Sequence, residues 1–170
     1  MKRSVALLPL VVVACVPASR PPAPPPAPTP VAAAPAPPPA IAPALGPDWR
    51  DWPLTPGTWS YRREGAGSVA AFGQAGSGLT LRCDPAARRV TLSVGGPGAG
   101  SATVRTTSLT RAVPLQATGA SAAASLAATD PLLDALAFSR GRFTVERAGA
   151  PPLVVPAYAE VGRVTEDCRG

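Results

Sequence analysis

The sequence predicts an α+β domain over residues 48–170: a mainly antiparallel β sheet of about six strands, sandwich or barrel-like, with two short helices, one of them C-terminal. Three observations predict it. Apolar and polar residues alternate in several short runs after Asp48. Glycine-rich segments separate those runs, with strand centres roughly 8–12 residues apart. Two further stretches change to the three-and-four spacing of a helix face.

In chain order, Thr58-Trp59-Ser60-Tyr61-Arg62 puts two aromatic rings on one face of a first strand. Leu79, Leu81 and Cys83 alternate with Thr80 and Arg82, and Val90, Leu92 and Val94 with Thr91 and Ser93. Ala102 and Val104 alternate with Thr103 and Arg105, and Phe143 and Val145 with Arg142, Thr144 and Glu146. A period of two is that of strands with one face buried. Gly65-Ala66-Gly67, the stretch Gly73 to Gly78, and the run Gly95 to Gly100 read as connections, the last as a hairpin loop. The order suggests a meander.

The first helix is predicted over Pro131 to Ala137, because Asp130 is a good N-cap and Pro131 suits the first helical position. It ends before the turn Ser139-Arg140-Gly141. The second runs from Pro156 to Cys168, where Ala157, Val161, Val164 and Cys168 share one face that packs on the sheet. Cys83 falls on the inward face of its strand and Cys168 on the inward face of this helix. In an oxidising compartment the pair predicts a structural disulfide. A redox pair would show Cys-x-x-Cys spacing at a helix start, which neither has.

Composition narrows the chemistry. The chain contains no His and no Asn, and Lys2 is its one Lys. Imidazole catalysis, imidazole metal ligation, a P-loop and a Schiff base are excluded. Lys2, Arg3 and Arg20 precede the domain, so 13 of the 16 basic residues belong to it, all Arg, against 10 acidic. A surplus of three scattered charges is no nucleic-acid footprint, and no nucleic-acid partner is predicted. It fits a solvated surface, or weak affinity for anionic polymers such as peptidoglycan or lipopolysaccharide.

Ahead of the domain, 14 of the 24 Pro residues fall between Pro17 and Pro47. Pro fixes φ and lacks a donor, so this stretch reads as a polyproline II spacer, with a contour on the order of 95 Å. Before it, Lys2-Arg3 and the apolar run Val5 to Val13 form a signal-peptide pattern too short to span a bilayer. Val12-Val13-Ala14-Cys15 resembles the lipobox of bacterial lipoproteins. The resemblance implies cleavage before Cys15, diacylation of its thiol and acylation of the new amino terminus. Two or three acyl chains anchor stably where one does not. Val16 in place of an Asp after Cys15 implies the outer membrane. The expected organisation is a signal peptide over 1–14, acylated Cys and spacer over 15–47, and the β-rich domain over 48–170.

Three blocks also resemble an uncharacterised family of small alphaproteobacterial envelope proteins: Trp52 to Trp59, Asp130 to Phe143, and Val155 to Val164. That resemblance covers most of the domain and carries no activity with it.

Candidate chemistry is sparse. A Ser or Cys nucleophile lacks its usual base. Carboxylates are present at Glu64, Asp84, Asp130, Asp134, Glu146, Glu160, Glu166 and Asp167, and spacing singles out no pair for glycoside cleavage. No catalytic residue, cofactor or metal is predicted. The most distinctive cluster is Trp49-Arg50-Asp51-Trp52 with Trp59 and Tyr61. These rings either anchor the first strand or stack on sugars, and Trp49, Arg50 and Trp52 form the candidate ligand site. The sequence thus predicts a non-catalytic envelope lipoprotein facing the periplasm, with a binding or structural role. An inhibitor of lysozyme type is the alternative, disfavoured because a basic domain suits basic lysozymes poorly. A carboxylate-dependent hydrolase comes third.

Overall fold

The computed structural model describes residues 45–73 and 78–170. The predicted signal peptide, Cys15 and most of the spacer lie outside the described residues, as does part of the Gly73 to Gly78 connection.

A meander of four strands comes first: β1 (Trp59–Glu64), β2 (Gly67–Phe72), β3 (Leu79–Asp84) and β4 (Arg89–Gly95). β5 (Gly100–Arg105), β6 (Thr110–Thr118) and β7 (Ser121–Ala127) follow, then helix α1 (Pro131–Ala137), strands β8 (Arg142–Arg147) and β9 (Leu153–Pro156), and helix α2 (Ala159–Arg169). The strands form one antiparallel sheet in the order β1-β2-β3-β4-β7-β6-β5-β8-β9. The α+β class and the C-terminal helix stand, but the sheet has nine strands and not about six.

The register explains the burial. Trp59, Phe72, Leu79, Val94 and Ala122 line up across five strands, and Tyr61, Ala70, Leu81, Leu92 and Ala124 form the next inward row. A third inward row runs through Ser68, Cys83, Val90 and Leu126. β6 joins the two halves of the sheet, pairing Thr110 to Leu115 with β5 and Gln116 to Thr118 with β7. The inward faces of both halves and of both helices feed one continuous core, which includes Leu92, Val104, Leu115, Leu136, Phe143 and Val164.

Two expectations about connections are corrected. The run Gly95 to Gly100 is no hairpin loop, because β4 pairs with β3 and β7 while β5 pairs with β6 and β8. It is a crossover between the halves of the sheet. The Arg147 guanidinium holds it by donating to the carbonyls of Gly95 (3.0 Å), Gly96 (3.1 Å), Pro97 (3.2 Å) and Gly98 (3.0 Å). The sheet is also no closed barrel: β1 and β9 are its two edges. The segment before β1 bridges them instead. Thr55 N–H donates to the Val154 carbonyl (2.9 Å), and Val154 N–H donates to Thr55 Oγ1 (2.9 Å). The Trp59 indole donates to the Pro156 carbonyl (2.8 Å).

α1 starts as its capping residues dictate, with the Asp130 carboxylate accepting the Leu132 N–H at 2.8 Å. α2 begins at Ala159 and not at Pro156, because Pro156 completes β9. Val161, Val164 and Cys168 are buried on its inward face, and Ala157 packs against the core ahead of it. Cys83 and Cys168 form the disulfide, with Cα atoms 5.4 Å apart, and it binds α2 to β3.

Candidate functional site

The aromatic cluster divides in two. Trp59 and Tyr61 pack against the core, Trp59 tilted against Phe72 with ring centres 5.5 Å apart. Tyr61 donates its hydroxyl to Asp167 (2.6 Å) and carries the Arg163 guanidinium 4.6 Å from its ring centre. These two rings anchor the first strand. Trp49 and Trp52 are half-buried and lie outside the core cluster.

Trp49–Asp51 form a single 3-10 turn, capped by the Asp48 carboxylate, which accepts the Arg50 N–H at 2.9 Å. The Arg50 guanidinium pairs with Asp48 at 3.3 Å and lies 4.8 Å from the Trp49 ring centre. The Trp52 indole N–H is engaged by the Gly46 carbonyl (2.6 Å), and the Trp52 carbonyl accepts from Arg142. Trp52 is thus tied at both its polar ends.

Arg50 reaches a depression of about 610 Å³ that it shares with Thr107, Ser108, Phe138, Arg140 and Arg142. Local chemistry builds this surface. Phe138 caps the C-terminal end of α1 and is 79% exposed. Gly141, at φ 78°, turns the chain from α1 into β8 and sets Arg140 and Arg142 on either side of it. Side chains brace that turn against the β5–β6 turn. Ser139 Oγ donates to the Arg142 carbonyl (2.6 Å) and accepts the Thr107 N–H (3.1 Å), while Thr107 Oγ1 accepts the Arg140 N–H (3.2 Å). The arginines therefore stand on a cross-linked pair of turns.

Their electrostatics differ from those of most other arginines here. Arg62 and Arg82 pair with Glu64, Arg63 with Asp167, Arg105 with Glu146, Arg111 with Asp130, and Arg169 with Asp134 and Glu166. Among the described residues, neither Arg140 nor Arg142 has a carboxylate within ion-pair distance. The depression offers three guanidiniums, of which Arg50 is already paired with the Asp48 carboxylate, beside an exposed aromatic side chain and two hydroxyl side chains. A guanidinium fork binds a carboxylate or phosphate through two parallel hydrogen bonds, and the ring offers an apolar face.

Several acidic side chains serve structural ends. Burial works to raise the Asp130 carboxyl, yet the Arg111 fork and the Leu132 N–H bring it below the usual carboxylate range. Asp167 is likewise lowered: burial works to raise it, and the Ser68 and Tyr61 hydroxyls together with the Arg63 and Arg163 charges outweigh burial. Glu64 is lowered, chiefly by Arg82. Asp84 accepts the Ala87 N–H in the β3–β4 turn (3.0 Å). No cluster of three potential metal ligands occurs among the described residues.

Of the predicted ligand residues, Arg50 lines the depression, Trp49 supports Arg50, and Trp52 supports Arg142. Phe138, Arg140 and Arg142 escaped sequence reasoning. Their one local signal is an aromatic residue at a helix end with arginines flanking a turn glycine, and their approach to Arg50 is tertiary. No family model, no curated protein and no solved structure matches this chain.

Proposed function

We propose that this chain is a non-catalytic lipoprotein of the cell envelope, anchored through acylated Cys15, most simply in the outer membrane facing the periplasm. Its domain binds an anionic envelope polymer, with peptidoglycan as the prime partner. One observation carries the binding role: Arg140 and Arg142, without carboxylate partners among the described residues, share a concave surface with Arg50 and the exposed Phe138. Carboxylate-bearing sugars match that surface, since the forks take the anion and the ring takes the sugar face. The stacking ring is Phe138 in this reading, because the Trp52 indole is already tied to Gly46.

Co-sedimentation with purified peptidoglycan sacculi tests the binding half. Arg140 is exposed, so Arg140→Glu is expected to leave the melting temperature nearly unchanged while lowering sacculus binding at least tenfold. Binding by the unaltered protein should weaken with added salt. Equal binding by both proteins would refute the site. Cys15→Ser tests the anchor separately: precursor should accumulate and acyl labelling should vanish, and normal processing in that variant would refute the lipoprotein reading.

A further inference from the structure

The arginine depression places an aromatic side chain and a guanidinium within reach of one another on the same turn. Phe138 and Arg140 are both exposed and flank Ser139, which is buried and fixed by its hydrogen bonds to Thr107 and Arg142. Two residues of chain span at most about 7 Å, so a ring resting on Phe138 lies within reach of the Arg140 fork. Arg142 is half-buried and held in place by donating to the Trp52 carbonyl. Arg50 is bound to Asp48, and Thr107 and Ser108 supply hydroxyls suited to a sugar. None of the residues lining the depression is acidic.

This conjunction selects one form of the polymer. A ligand that uses Phe138 and Arg140 together carries its anion on the sugar itself, a short linkage from the ring. The sugars of intact peptidoglycan do not. The lactyl carboxyl of each N-acetylmuramic acid is consumed in the amide to the first stem residue. The nearest carboxylate that can be free belongs to the second stem residue, roughly 7 Å further along an extended chain. Hydrolysis of the lactyl amide changes the sugar. Water adds across the bond, the stem peptide leaves with a free amine, and the lactyl group becomes a carboxylate one ether linkage from the ring. Removing the stem also removes the ammonium of its diamino acid, which three guanidiniums with no acidic lining residue would repel.

We propose that the depression recognises denuded peptidoglycan, the glycan whose N-acetylmuramic acid carries a free lactyl carboxylate. The sugar face rests on Phe138 and the carboxylate meets the Arg140 fork, with Arg142 beside it. This inference rests on the peptidoglycan reading and narrows it to the product of an amide hydrolysis. It places the protein after the reaction that strips stem peptides from the glycan.

The full chain, in detergent, is sedimented with intact sacculi and with sacculi partly stripped by limited digestion with an N-acetylmuramoyl-L-alanine amidase, so that they still sediment. Bound protein should rise in proportion to the stem peptide released. Soluble N-acetylmuramic acid should displace the protein. N-acetylmuramoyl-L-alanyl-D-isoglutamine, whose lactyl carboxyl is blocked and whose free carboxylate lies on the peptide, should compete about tenfold more weakly. Lactate, the same anion without the ring, should be weaker than N-acetylmuramic acid by about fivefold. Phe138→Ala should erase that last margin at a nearly unchanged melting temperature, because the position is exposed. Binding that digestion leaves unchanged but Arg140→Glu abolishes would overturn this inference and leave the peptidoglycan reading standing. Equal displacement by the blocked dipeptide would do the same by placing the anion on the stem. A margin over lactate that survives Phe138→Ala would also overturn it. Binding indifferent to Arg140→Glu, or absent from both preparations, would overturn the inference and the reading beneath it.

Discussion

Arginine takes the roles in this domain that Lys, Asn and His share in most proteins. Its planar fork makes that possible, because each guanidinium can satisfy several acceptors in fixed geometry. Arg147 gathers a glycine crossover, and Arg169 ties the C-terminus to the Asp134 carboxylate (2.8 Å) and the Ala128 carbonyl (3.0 Å). Arg111 meets both oxygens of Asp130, at 2.8 and 3.1 Å, while that carboxylate also caps α1. The double role has a pH signature. The folded Asp130 carboxyl is lowered, so its stabilising contribution is present above the unfolded value near 3.9. That contribution is lost as pH falls through the folded value. Asp130→Asn keeps a capping oxygen but removes the charge. At pH 7 it should cost about 1 kcal/mol, a modest figure because Arg111 remains partly solvated. The gap between variant and parent should shrink as pH falls below about 4. Urea denaturation at pH 7 and pH 3 measures both, and a gap that is constant with pH would remove the charge from the account.

At the scale of elements, legibility follows burial on one face or two. β3 and β4 alternate visibly because only their inward face is covered, as the exposed Arg82 and Arg89 show. β2 reads Gly-Ser-Val-Ala-Ala-Phe and is almost wholly buried, with Val69 lying between its directly paired neighbours Arg62 and Arg82. The long arginine stems cover its outer face and erase the alternation. β7 is mostly Ala and Ser and has no β-branched residue, β6 is interrupted by Pro114, and β9 has only four residues, so each lacks part of the pattern that marks a strand. Gly67 looks like a loop residue for a similar reason: a Cβ there would stand 2.3 Å from the Cys83 carbonyl. It is a strand residue that only close approach to β3 explains. The helices were legible because caps and periodicity are local. The same division holds for the candidate site, where Arg50 belongs to a visible cluster and Phe138 joins it only through the fold. The disulfide was legible because both cysteines lie on inward faces. It closes a loop of sequence separation 85, so removing it with Cys83→Ala and Cys168→Ala should cost up to about 4–5 kcal/mol. Denaturant titration checks this through a lower midpoint, while native, unreduced protein should resist thiol alkylation. Alkylation of both cysteines without reduction would remove the bridge.

At the largest scale, the described domain is built on an open sheet whose two edges are managed by different means. β1 presents Arg62, Arg63 and Glu64, charges that discourage pairing with another chain. The outer edge of β9 is met at Val154 by Thr55, from the segment before β1, and at Pro156 by the Trp59 indole. Thr55 supplies both an N–H for the Val154 carbonyl and a hydroxyl oxygen for the Val154 N–H, so a side chain completes what a tenth strand would otherwise provide. Val154 is 2% exposed, and its N–H has no water to turn to. Thr55→Val keeps the shape and removes the acceptor, which leaves that N–H buried and unpaired. The expected loss is about 1–3 kcal/mol. Thr55→Ser retains the hydroxyl and should recover most of it. The damage should also be local. Hydrogen exchange of the Val154 amide should accelerate in Thr55→Val, while amides of β3 and β4 keep the protection of the core. Uniform acceleration across both halves of the sheet would mean that the bridge holds the whole fold together. An unchanged Val154 amide would mean that the edge is secured without Thr55, leaving the Trp59 indole on Pro156 as the remaining clasp between the two edges.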